Sequence, residues 1–368
     1  MTGPSLLPRR LRLLLRIVAR LLGRGGPLGS AAGRGRGLAA AALLALVACT
    51  SSPRPADDGE LAGGWRTVPV ADGVEIAYRV AGAGELAVVV PAGSILGEMA
   101  PLAARHRMVL YDPRGRGRSS RFGPELPVSL EHDLADLEAL RAALGLDRFA
   151  LLGLSYYGTF VALYAAEHPE RVERLVMAGP LALRAETFAT GWGEAKAAKA
   201  AADEAAETEL AALRAEGLEK ADPAAFCRAY YRAYAPGLYA DPARFDPASV
   251  ESLCELPNEQ PASLGAWAGA LFATLGEWDF EERLRRVRAP ALILQGRQDL
   301  RTPPAGAPEI AAAIPDARIL WIDDAGHLPL EERPEVAYPA VLEFLAGAWP
   351  EGADAPAAGG APRRAGGG

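Results

Sequence analysis

Short apolar runs alternate with longer mixed stretches along most of the chain. "LAVVV", "RMVLYD", "RFALLG" and "ERLVMAG", and later "ALILQG" and "ARILWI", are apolar almost without interruption. Continuous rather than alternating apolarity predicts strands buried on both faces of a parallel sheet. "WRTVPV" and "VEIAYRV" instead flank Asp72-Gly73, which predicts a hairpin. Helical patterns separate the runs. In "SLEHDLADLEALRAALG", Leu130, Leu134, Leu137, Leu140 and Leu144 form one stripe, with Gly145 at the stop. The last helix is expected to start near Glu331 and to end before Pro350. Between Pro180 and about Arg288 the alternation gives way to helical sequence rich in alanine and charge. The strand–helix series then resumes. That predicts a lid inserted into one α/β domain, not a tandem domain. The expected division is a core over 65–180 and 289–349, a lid over 181–288, and a disordered tail over 350–368.

The beginning of the chain has a different character. Residues 1–48 contain eight arginines, no lysine and no acid, which leaves 31 basic against 46 acidic residues in the remainder. An acidic body argues against nucleic acid as a partner. Leu38 to Ala48 is an apolar run preceded by Arg34 and Arg36. It suits a signal-peptide core and is too short to cross a bilayer, which takes roughly 20 residues. It ends in Leu46-Val47-Ala48-Cys49, which resembles a bacterial lipobox, and "TSSPRPADDGE" follows as a polar tether over 49–64. The expectation is an exported lipoprotein, held to a membrane through a lipid on Cys49. Upstream, "LLPRRLRLLLRIVARLL" makes the leader unusually long, and could lie on the membrane as a basic amphipathic helix. Export leaves Cys227 and Cys254, both in the lid; they can pair as a disulfide or remain as two buried thiols.

The candidate chemistry centres on "GLSYYGTF". Ser155 follows a strand run and opens a helix pattern, the context of a nucleophile elbow. The second glycine of G-x-S-x-G is missing: Tyr157 stands there and the glycine comes one place later, at Gly158. Tyr157 must then point away from the strand–helix crossing, and Gly158 must take the close contact. A hydroxyl needs a base. Of four histidines, His106, His132 and His168 read as surface or capping residues, whereas His327 lies in the loop "DDAGHLPLEERP" before the last helix. Asp299, in "LILQGRQDLRTP", is the acid expected to orient it, with Asp323 and Asp324 as competitors on His327's own loop.

The order Ser155, Asp299, His327, together with "YDPRGRGRSS", "GRQD" and "AGHLPLEERP", resembles the α/β-hydrolase superfamily over roughly residues 65–348. The resemblance implies an α/β-hydrolase fold: a mostly parallel eight-stranded sheet, helices on both faces, and a helical lid. Within the superfamily the chain is most similar to the proline-iminopeptidase-like group, whose lid carboxylates hold the substrate's free amine; Glu251, Glu255 and Glu259 are the candidates here. Two departures stand out. That group's H-G-G-P-G after the third strand is "PAGSI" here, where Ser94, or else Gly93, is expected to offer a backbone N–H to the oxyanion, Tyr156 supplying the other. The elbow G-x-S-Y-x-G is similar to that of X-prolyl dipeptidyl peptidases, where the glycine also comes third.

The resulting expectation is a serine hydrolase that cleaves an ester or amide of a small molecule or short peptide through an acyl-enzyme, without metal or organic cofactor. An aminopeptidase leads, with a carboxylesterase or lactonase as the alternative. A binding protein on a hydrolase scaffold, or a cofactor-free perhydrolase or haloperoxidase, would fit the same pattern.

Overall fold

The computed structural model describes residues 64–94 and 99–355. The expected signal sequence, most of the expected tether including Cys49, the expected lipidation site, and the chain beyond 355 lie outside the described residues.

Nine strands among the described residues form one sheet, in the order β1-β2-β4-β3-β5-β6-β7-β8-β9. They are β1 (Arg66–Pro69), β2 (Glu75–Ala81), β3 (Ala87–Pro91), β4 (Arg107–Tyr111), β5 (Phe149–Leu154), β6 (Val172–Ala178), β7 (Ala291–Gly296), β8 (Ala317–Ile322) and β9 (Ala353–Asp354). From β4 through β3, β5, β6 and β7 to β8 every pairing is parallel. Every residue of β3, β5 and β7 is buried, as expected of strands covered on both faces. The edges are antiparallel: β1 on β2, β2 on β4, and β9 on β8.

The ninth strand corrects the expectation of eight. It falls where a disordered tail was expected. Gly352, at φ 79°, turns the chain so that Ala353 and Asp354 pair with Leu320 and Ile319. A two-residue strand in Gly/Ala-rich sequence has no periodicity to read.

The helices outside the lid are α1 (Ala100–Ala103), α2 (Leu130–Ala143) and α3 (Tyr156–Glu167) before it. The apolar stripe of α2 is buried from Leu130 to Leu140, and Ser129 caps its start by accepting from the His132 N–H. Between β6 and β7 the chain is wholly helical apart from short turns: α4 (Ala185–Thr190), α5 (Ala195–Ala215), α6 (Leu218–Ala221), α7 (Pro223–Leu238), α8 (Glu251–Cys254), α9 (Pro261–Leu275) and α10 (Glu281–Leu284). A disulfide joins Cys227 on α7 to Cys254 on α8. The C-terminal part adds α11 (Gly306–Ala313), α12 (Pro329–Glu332) and α13 (Pro334–Leu345). The single helix expected from Glu331 is thus two, divided at Arg333 just before Pro334, because a residue before proline is pushed out of the helical region.

Candidate active site

Ser155 joins β5 to α3 with φ 58° and ψ −127°, backbone values that a non-glycine residue adopts only under strain. The crossing is tight on both sides of it. A Cβ on Gly153 would lie 2.2 Å from the Tyr157 carbonyl oxygen. A Cβ on Gly158 would lie 3.2 Å from both the Gly153 oxygen and Pro180 Cα. Tyr157 avoids this contact. Its ring is buried edge-on to Tyr156, with centroids 5.1 Å apart, and against Phe160 at 6.0 Å. The strand–turn–helix geometry of an elbow therefore forms without the usual second glycine.

Asp299 and His327 come from the loops after β7 and β8, and both are fully buried. His327 Nδ1 lies 2.9 Å from Asp299 Oδ2. Asp299 Oδ1 accepts from the N–H groups of Arg301 (2.7 Å) and Thr302 (2.9 Å). Its Oδ2 also accepts from the Thr302 hydroxyl at 2.7 Å and from Gln295 Nε2 at 3.1 Å. Burial opposes the charge on this carboxylate. The field of His327 and these hydrogen bonds outweigh it and hold the pKa below the usual value.

The pair adjoins the elbow through Gly179. The Ser155 N–H donates to the Ala178 carbonyl at 2.9 Å. A Cβ on the next residue, Gly179, would lie 3.2 Å from both His327 Cε1 and Asp299 Oδ2. The other candidates stand apart. Asp323 pairs with Arg297 and Asp324 with Arg333, both on the exposed side of the loop. His132 faces Ser129 and Asp72, His168 stacks on Tyr164 at the end of α3, and His106 is half-buried ahead of β4.

Ser94, expected to offer its N–H to the oxyanion, has that group engaged elsewhere. Its N–H donates to Asp112 Oδ1 at 2.7 Å, and the Gly93 N–H donates to the Tyr111 carbonyl at 2.8 Å. Both amides are committed to holding the β3 loop against the loop after β4, so neither can turn to an oxyanion without breaking that contact. Tyr156 is different: as the first residue of α3, its N–H has no partner within the helix. The three lid carboxylates that could hold a substrate amine are placed differently from one another. Glu259 is buried in a two-pronged pair with Arg116, at 3.0 and 2.8 Å. Glu251 pairs at the surface with Arg228, and Glu255 is exposed.

Some supporting residues were not read from the sequence. Glu332, fully buried, accepts from the N–H groups of Gly326, Leu328 and Ala240, and so braces both sides of His327 and the end of α7. The His327 N–H itself donates to the Leu238 carbonyl at 2.8 Å. Arg301, beside the acid loop, pairs with Asp203 of α5 at 2.6 Å. The lid thus supports the histidine and acid loops directly. The second acid of "LEERP" was the available signal for Glu332. Among the described residues no group of three or more His, Cys, Asp or Glu side chains could hold a metal ion.

Several known hydrolases are similar in sequence. The chain is 29% identical over 252 residues to a protein described as the carbamate hydrolase RutD of Caulobacter sp. (strain K31), covering 68% of this chain and 84% of that one. It is 29% identical over 249 residues to a proline iminopeptidase of Xylella fastidiosa (strain Temecula1), covering 62% and 76%. It is also 29% identical over 227 residues to a pimeloyl-[acyl-carrier protein] methyl ester esterase of Aromatoleum aromaticum, covering 60% and 80%. The sequence profile of the alpha/beta hydrolase fold matches residues 91–334, and the chain belongs to that family.

Proposed function

We propose that the protein is a serine hydrolase that cleaves an ester or amide through an acyl-enzyme. The carrying observation is the strained Ser155 at the head of α3, adjoining a buried His327–Asp299 pair. In this reading Asp299 keeps a proton on His327 Nδ1, which leaves Nε2 as the base. His327 takes the Ser155 proton as the hydroxyl attacks the carbonyl, then returns it to the leaving group. Water repeats the cycle on the acyl-enzyme. The Tyr156 N–H and the N-terminal end of α3 stabilise the oxyanion.

The disposition of the lid acids favours acyl esters and neutral amides over N-terminal aminopeptidase substrates. Glu259 is spent on Arg116, and Glu251 and Glu255 lie at the surface. The test is a fluorophosphonate probe on the purified protein, followed by short acyl esters beside proline and alanine p-nitroanilides. Labelling is expected in the parent and absent in Ser155→Ala and His327→Ala. A folded parent that never labels would favour a non-catalytic binding protein instead.

Export and lipidation at Cys49 belong to the same proposal. The Cys227–Cys254 bridge supports them, because such bonds persist in oxidising compartments. Cells fed a clickable fatty acid should label the parent and not Cys49→Ser. Equal label in both would remove the anchor.

A further inference from the structure

One buried polar cluster beside the elbow takes no part in the acyl-transfer chemistry. Arg116, in the loop after β4, is fully buried. Its Nε and Nη2 bind Glu259, and its face lies 4.7 Å from the centre of the Trp267 ring. Its remaining nitrogen, Nη1, has no hydrogen-bond partner among the described residues. The hydroxyls of Tyr157 and Tyr231 are in the same condition, in side chains 1% and 0% exposed. Both phenols interact electrostatically with Arg116. Tyr157 is two residues past Ser155 in the first turn of α3; Tyr231 is on α7; Glu259 is in the turn before α9. The cluster therefore forms where the loops leaving the C-terminal ends of β4 and β5 meet the lid. Parallel α/β sheets take their ligands at that edge.

Buried polar groups in folded proteins are nearly always paired, so three unpaired polar atoms on Arg116 and the two tyrosines that act on it call for an explanation. Packing alone would be served by phenylalanine at 157 and 231. The set also has a definite chemical sense. Glu259 Oε1 accepts from Arg116 Nε and the Gly117 N–H, and Oε2 from Arg116 Nη2. Arg116 Nη1 can only donate and each phenol has a proton to give, so one acceptor can satisfy all three. It is a neutral one: Glu259 already balances the guanidinium, so a further anion would meet its carboxylate with no free positive charge to offset it.

We propose that Arg116 Nη1, Tyr157 Oη and Tyr231 Oη form a subsite for a neutral carbonyl oxygen on the substrate, separate from the carbonyl that Ser155 attacks. The preferred substrate is then an ester or amide whose acyl chain carries a second ketone, ester or amide carbonyl. This deepens the serine-hydrolase reading and rests on it.

The experiment compares p-nitrophenyl 4-oxopentanoate, 5-oxohexanoate and 6-oxoheptanoate, each with its plain isologue. At one chain length the parent should favour the oxo ester by about tenfold or more in kcat/KM, because an analogue that lacks the acceptor leaves buried donors unmatched. Tyr157→Phe and Tyr231→Phe should each bring that ratio to within about twofold of one. A parent ratio near one at every length overturns the subsite. So does a ratio that survives both substitutions, or faster turnover of the half-esters that carry a carboxylate at the same position. If no ester is turned over and the fluorophosphonate does not react, the hydrolase reading fails by itself. The subsite is then judged by calorimetry with 5-oxohexanamide and hexanamide. Tighter binding of the oxo amide that Tyr157→Phe abolishes supports it, and equal binding overturns it.

Discussion

At Gly153 a single hydrogen atom decides how closely strand and helix cross. A methyl group there would sit 2.2 Å from the Tyr157 carbonyl oxygen and 2.5 Å from its carbon, both backbone atoms that cannot swing aside. Gly153→Ala must therefore move the first turn of α3, and Ser155 with it. The expected loss is about 3 kcal/mol or more of stability, together with slower fluorophosphonate labelling. A variant that melts and labels like the parent would show that the crossing has slack. Tyr157→Gly would not restore a standard elbow, because it removes a buried ring packed on Tyr156 and Phe160. At this scale the sequence was informative wherever a residue has a distinctive neighbour pattern. The elbow showed through its strand–turn–helix context, and the Asp299–His327 pair through its two loops. The partners of the Gly93 and Ser94 amides were not legible. Which way an N–H points depends on an acceptor elsewhere in the chain, here Tyr111 and Asp112, and no local pattern encodes that.

Elements differ in legibility for a physical reason. A strand buried along its length is almost wholly apolar, so β3, β5 and β7 could be read directly, whereas β9 has two residues and only backbone pairing to define it. The lid showed only as an interruption of the series. Its attachments are polar and distant in sequence: Glu259 to Arg116, Asp203 to Arg301, Ala240 to Glu332. The Asn258 amide adds to the first of these by donating to the Gly117 and Ser119 carbonyls at 3.2 and 3.0 Å. The Cys227–Cys254 bridge lies beside this attachment and closes a loop across a separation of 27 residues. Chain-entropy arguments put such a cross-link at about 3.5 kcal/mol. The Cys227→Ala/Cys254→Ala double variant is expected to melt earlier. Hydrogen exchange should accelerate first in residues 223–260, ahead of the sheet. Unchanged melting and unchanged exchange would leave the bridge without a role in holding the lid.

For the whole molecule, buried carboxyls set how stability responds to pH. Burial pushes Asp133 up to about 7, a rise that the Tyr156 hydroxyl moderates and neighbouring Asp136 reinforces. Burial likewise raises Asp112 to about 6, against hydrogen bonds from Ser94 and Arg118, and Glu332 to about 7, against three backbone N–H groups. In the unfolded chain such groups titrate near 4. Between about pH 4 and 7 the folded state keeps protons that the unfolded state has lost. Each of the three therefore contributes fully below about pH 4, and its contribution disappears as the pH rises through the folded value. Glu138 acts in the opposite sense. The Arg141 guanidinium holds it near 2, so its contribution is present above about pH 4 and is lost below. Stability should pass through a maximum on the acid side of neutrality and fall towards pH 8. Asp133→Asn isolates one part of that slope, since an amide oxygen can still accept from Tyr156, now 2.8 Å from the carboxylate. The variant is expected to match the parent at pH 4.5 and to exceed it at pH 8, by up to about 4 kcal/mol for a three-unit shift. Calorimetric melts at the two pH values decide the matter. A loss of equal size at both would mean that Asp133 is held for its shape and hydrogen bond, with its charge contributing nothing to the pH response.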